Sequence, residues 1–152
     1  MRDGRDALVS WARQASEEDP NTCQAELRSK ILRVSASGTG SWGTNVLSWL
    51  RPSAPHRVVL RYEDLIRDPH AAVTAIIATV APAFGLMPEA AIPSLDELRG
   101  HDDLFFRRGR TGSHQDELPV ELHQLFWSRV DNQAAMDLLG YPKPDDDEAW
   151  KH

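Results

Sequence analysis

Arg57-Val58-Val59-Leu60-Arg61-Tyr62 is the stretch on which the fold turns. It is short and β-branched, follows the Pro/Ser-rich segment Pro52-Ser53-Ala54-Pro55, and reads as a strand. The other patterned segments read as helices. A lone strand can neither satisfy its backbone edges nor hide both faces. A strand set among helices normally lies in a mostly parallel sheet covered by them. The expected architecture is therefore α/β, mostly helical, with one strand and an incomplete parallel sheet. Its other strands are not in these 152 residues. Either a completing chain supplies them, or the chain is the C-terminal part of a larger domain.

Upstream of the strand, Asp6 to about Ser16 reads as a helix with Leu8, Trp11, Ala12 and Ala15 at helical spacing and Asp3 or Asp6 as cap. A polar break at 17–21 precedes a weaker helix from Thr22 to Leu32. A Gly/Ser loop, Ser35 to Ser41, leads into a short helix at Trp42 that Pro52 stops. Downstream, Asp68-Pro69 opens a helix carrying Val73, Ile76, Ile77 and Val80. Ser94-Leu95-Asp96-Glu97 fits a capping box. Pro119 starts one long helix ending near Gly140. The domain is expected to occupy 1–141, with 142–152 an acidic, disordered tail.

Composition narrows the function. The formal net charge of −6 argues against a general nucleic-acid binder. The single cysteine, Cys23, excludes an intramolecular disulfide and points to a reducing, cytoplasmic setting. No apolar run approaches a membrane span. The six histidines show no metal spacing and read as surface or capping residues, with His114 the one beside a glycine turn. Ser35 to Ser41 lacks the Gly-Lys-Ser/Thr ending of a true P-loop and reads as a flexible connection.

Against this acidic background two arginine-bearing stretches stand out: Arg2-Asp3-Gly4-Arg5-Asp6 with Ser10, and Phe106-Arg107-Arg108-Gly109-Arg110-Thr111-Gly112. Each mixes guanidinium groups with glycine or a helix start. That mixture suits a phosphate, because an arginine fork matches its oxygens and bare N–H groups add donors. Glycine at 109 lets the backbone approach closely.

With these residues in view, the chain resembles the C-terminal portion of the PAPS-dependent sulfotransferases, a family of P-loop-NTPase-like fold. These enzymes move a sulfuryl group from 3′-phosphoadenosine 5′-phosphosulfate to a hydroxyl or amine. The Arg2…Ser10 spacing, Arg61-Tyr62-Glu63-Asp64-Leu65, the Gly40-Ser41-Trp42 loop and the Arg107-Arg108-Gly109-x-x-Gly112 loop are similar to family motifs and follow the same order. The resemblance implies that Arg2, Ser10, Arg107, Arg108 and Gly109 bind the cofactor's 3′-phosphate and that Tyr62 contacts the adenine. Pro93-Ser94-Leu95 stands where many members have Thr-Ser-Phe. The family's 5′-phosphosulfate loop and catalytic histidine have no counterpart in these residues. The chain is thus expected to supply cofactor-binding residues and no catalytic or metal-binding ones, to serve a small-molecule acceptor, and to be inactive alone. The alternative expectation is a non-catalytic module that binds 3′,5′-phosphoadenosine, a completing chain or a second copy of itself.

Overall fold

A computed structural model describes residues 1–16, 19–33, 40–51, 57–83, 93–102, 109–141 and 143. Among them are α1 (Gly4–Ala15), α2 (Pro20–Leu32), α3 (Trp42–Leu50), α4 (Tyr62–Arg67), α5 (Pro69–Val80), α6 (Leu95–His101), α7 (Ser113–Glu117), α8 (Val120–Trp127) and α9 (Val130–Leu138). The chain divides into two compact units. One comprises Arg2–Pro52 and Gly112–His152; the other comprises Met1 and Ser53–Thr111.

The α/β expectation is overturned: the described residues hold no strand and no sheet. Residues 57–61 form no ladder, and Tyr62 already begins α4. Among the described residues Met1 lies beside them in the manner of a strand: its terminal ammonium donates to Leu60 C=O and its C=O accepts from Tyr62 N–H at 2.6 Å. Two bonds to one residue do not make a ladder. Val59 remains 44% exposed, and among the described residues the β-branched run meets no strand edge to pair with.

The first unit carries the core. In α1, the Asp3 side chain accepts from Arg5 N–H and caps the helix. Leu8 and Ala12, one turn apart, face inward with Val9 beside them. α2 is capped by Asp19, with Pro20 at its start, and buries Cys23, Leu27 and Ile31 as a strict i, i+4, i+8 stripe. Phe126 and Met136, both fully buried, close the cluster from α8 and α9. Each such side chain stabilises the fold by about 1.5–3 kcal/mol through burial.

The helix expected to run from Pro119 to Gly140 is two helices. Arg129 is extended (φ −88°, ψ 122°) and separates α8 from α9. Tertiary bonds favour the break. Ser41 and Thr44, at the start of α3, donate to Asp131, and Gly43 N–H donates to Asn132 Oδ1 at 3.1 Å. The Asn132 amide donates in turn to Phe126 C=O. α3 and α9 lie so close here that a Cβ on Gly43 would meet the Asp131 backbone at 2.5 Å.

In the second unit the local signals are borne out by geometry. Asp68 caps α5, which starts at Pro69, and Ser94 and Glu97 form the reciprocal capping box of α6. Glu63 and Asp64 lie in the first turn of α4, where acids complement the helix dipole. The apolar stripe of α5 is less well covered, with Val73 and Val80 exposed. The expected acidic tail lies outside the described residues except Lys143.

Candidate functional site: a buried aspartate at the start of the first helix

The site is built on the first turn of α1. Its two arginines face different ways. Arg5 turns inward, forms a two-pronged bond with Asp3 (3.0 Å from Nε and 2.6 Å from its terminal nitrogen), and lies 5.4 Å over the Trp127 ring. Arg2 stays partly exposed, with its guanidinium 3.9 Å from Asp6. Arg2, Asp6 and Ser10 follow one another at intervals of four. Asp6 and Ser10 share one stripe of α1, about 6 Å apart along its axis, while Arg2 precedes the helix and reaches Asp6 from beyond the Asp3 cap. Ser10 is exposed.

Asp6 lies between them and is 1% exposed. It is not the helix cap; that is Asp3. Its carboxylate accepts three hydrogen bonds from a segment more than a hundred residues away. Gly112 N–H donates to one oxygen at 2.7 Å, and His114 N–H (2.8 Å) and His114 Nδ1 (2.7 Å) reach the other. Burial alone would raise the Asp6 carboxyl. The bonds from the His114 ring, the His114 N–H and the Gly112 N–H outweigh it and hold the group below its ordinary 3.8. Gly112 is left-handed (φ 79°, ψ 12°), a conformation that favours glycine and turns both amides toward the carboxylate. Arg13 pairs with Glu117, the last residue of α7, so α7 is tied to α1 at both ends.

Of the histidines expected at the surface or in caps, His114 is buried and His123 half-buried. His114 is 7% exposed, and the two rings meet edge to face at 5.6 Å. His123 Nε2 bonds to the His114 carbonyl at 3.2 Å. Burial pushes the His123 ring below 6.5, and the charges on His114 and Arg5 act in the same direction. Ser41, expected in a flexible connection, is 3% exposed and caps α3.

The sequence-predicted residues divide as follows. Ser10 lies on α1, and Arg2 lies just before the helix, near Asp6. Tyr62, half-buried, begins α4, and Gly109 is exposed with φ 55°; both belong to the other unit. Arg107 and Arg108 lie outside the described residues. Sequence reading missed the role of Asp6, which it treated as a cap. The available signal was its spacing, four residues from both Arg2 and Ser10. Among the described residues no three His, Cys, Asp or Glu side chains cluster as metal ligands, and no helix is long and apolar enough to cross a membrane.

The arrangement thus sets a guanidinium near a helix start and folds a glycine turn against that helix. The chain belongs to the sulfotransferase domain family, whose model matches residues 1–78, just over half of its length. The matched stretch takes in Arg2, Ser10 and Tyr62 and stops before Gly109. No curated protein and no solved structure matches the chain.

Proposed function

We propose that this chain provides the 3′-phosphate-binding part of a sulfotransferase that uses PAPS and transfers its sulfuryl group to a hydroxyl or amine of a small molecule. One observation carries the reading. Gly112, the last residue of the second arginine-glycine segment, hydrogen-bonds to Asp6, one turn from Arg2 in the first. Covalent geometry extends the point: Arg108 stands four residues before Gly112, and four residues span at most about 14 Å.

The groups present fit a dianionic phosphate. Arg2 offers a planar fork just before α1, the α1 start offers a positive dipole end, and Ser10 offers a hydroxyl farther along the helix. The nearby acids do not oppose it strongly, since Asp3 is engaged by Arg5 and Asp6 by Gly112 and His114. In this reading Arg2, Ser10, Arg107 and Arg108 grip the phosphate, Gly109 lets the backbone approach it, and Tyr62 borders the adenine. Bound PAPS supplies the sulfuryl group; the residues named here bind and orient it.

Titration calorimetry with 3′,5′-phosphoadenosine tests the proposal. The wild-type chain should bind, and Arg2→Ala and Arg107→Ala should each weaken binding tenfold or more, as expected for loss of a charge-assisted contact. Equal affinity in all three chains would refute it.

A further inference from the structure

We propose that Asp6 is a positioning residue of the phosphate site: its carboxylate sets the exit of the glycine segment, at Gly112 and His114, against the Arg2 end of α1. This rests on the reading above and goes beyond it, because Asp6 itself touches no phosphate.

A carboxylate has two oxygens with about four acceptor positions, so it can serve several donors at once. Asp6 uses them for Gly112 N–H, His114 N–H and the His114 ring, with the Arg2 guanidinium 3.9 Å away. It thereby links the two segments that differ most in sequence position, from a place water does not reach. Nothing smaller in chemical terms would do. Asparagine is isosteric, but its amide turns one oxygen into a donor. Whichever way it is oriented, an NH2 would face Gly112 N–H or the two His114 donors, and that side of the clasp would open.

The clasp is also more than a helix–helix contact. α7 already has a second tether to α1 through Arg13 and Glu117. That tether holds the far end of α7. Asp6 holds the other end, at Gly112 and His114, where His123 also bonds to the His114 carbonyl. Loss of Asp6 therefore leaves α7 attached through Arg13 while freeing Gly112 and His114, which directly follow in sequence the segment on which phosphate contacts are proposed.

The readout is the preference for a 3′-phosphate, measured by calorimetry as the affinity for 3′,5′-phosphoadenosine relative to adenosine 5′-phosphate. Global loosening would lower both affinities together; release of the phosphate grip would lower only the first. Wild type should show a clear preference. Asp6→Asn should reduce that preference at least tenfold, and Asp6→Glu, which keeps the carboxylate but shifts it by one methylene, should restore part of it. A wild-type chain with no preference would refute the phosphate reading and this inference with it. A wild-type preference that survives in Asp6→Asn, or an equal loss for both nucleotides, would refute the inference alone. If Asp6→Asn does not fold by circular dichroism, amide exchange in wild type decides. 3′,5′-Phosphoadenosine should slow exchange at Gly112 and His114 and adenosine 5′-phosphate should not; equal exchange in the two nucleotides overturns the inference.

Discussion

The two units of this chain use the same helical patterning with opposite results. In the unit of Arg2–Pro52 and Gly112–His152, apolar stripes meet each other: Leu8, Leu27, Phe126 and Met136 are all at most 2% exposed. In the unit of Met1 and Ser53–Thr111, Ala72 is the one described residue that is buried and apolar. Val59, Ile66, Val73 and Val80 there all keep more than a third of their surface in water. α5 is as well capped as α1, so the difference does not lie in helix formation. It lies in whether a second surface is there to receive the stripe. Caps and propensity decide that a helix forms; packing decides what that helix is worth.

The sharpest way to break this comparison is to truncate one side chain in each unit. Phe126→Ala removes a ring with no exposure, and should cost about 3–5 kcal/mol. Val80→Ala removes two methyls from a residue 45% exposed, and should stay within about 0.5 kcal/mol. Urea unfolding followed by tryptophan fluorescence measures both. Comparable losses would mean that the α5 stripe is covered after all.

Glycine replacement should change sign between the units. Gly43→Ala sets a methyl against the Asp131 backbone at 2.5 Å, where neither helix can yield without parting from the other. It should destabilise by about 3 kcal/mol, the upper end for overpacking. Gly100→Ala in α6 meets nothing within 4 Å and replaces a poor helix former with the best one. It should leave stability unchanged or raise it by up to about 1 kcal/mol. Thermal melts of the two variants would give shifts in opposite directions. A loss at Gly100 would show that α6 has a close neighbour.

What was legible in the sequence follows the range of each interaction. Asp68-Pro69 and the Ser94–Glu97 box were readable because cap and helix lie within four residues. The α2 stripe was readable in part, through Leu27 and Ile31, because its period is local. Arg57 to Tyr62 was misread because β-branched residues express a need for a neighbouring strand, and the described residues hold only Met1 there. The break between α8 and α9 was invisible because the contacts that accompany it, from Ser41 and Thr44 to Asp131, come from about ninety residues away. Asp6 escaped for the same reason. Its spacing from Arg2 and Ser10 was in plain view, but its three donors stand on the far side of the chain.

The smallest effect tests whether the first unit's polar contacts, like its apolar ones, outweigh their counterparts. Burial alone would raise the Asp131 carboxyl. The bonds from Arg129, Ser41 and Thr44, and the Arg129 charge, carry it instead from 3.8 down to about 2. Because the folded value is depressed, the contribution is complete above the unfolded value and is lost as pH falls from about 3.8 toward 2. Its size is on the order of 2 kcal/mol. Asp131→Asn should therefore lower stability by up to that amount at pH 7, and the gap to wild type should close as the pH approaches 2. Asp64 and Asp96, in the exposed pairs Arg67–Asp64 and Arg99–Asp96 of the other unit, should give amide variants within about 1 kcal/mol of wild type. Urea midpoints at pH 7, 4 and 2.5 distinguish the cases. A gap for Asp131→Asn that persists unchanged at pH 2.5 would mean that the α3–α9 latch depends on the shape of the aspartate side chain and not on its charge.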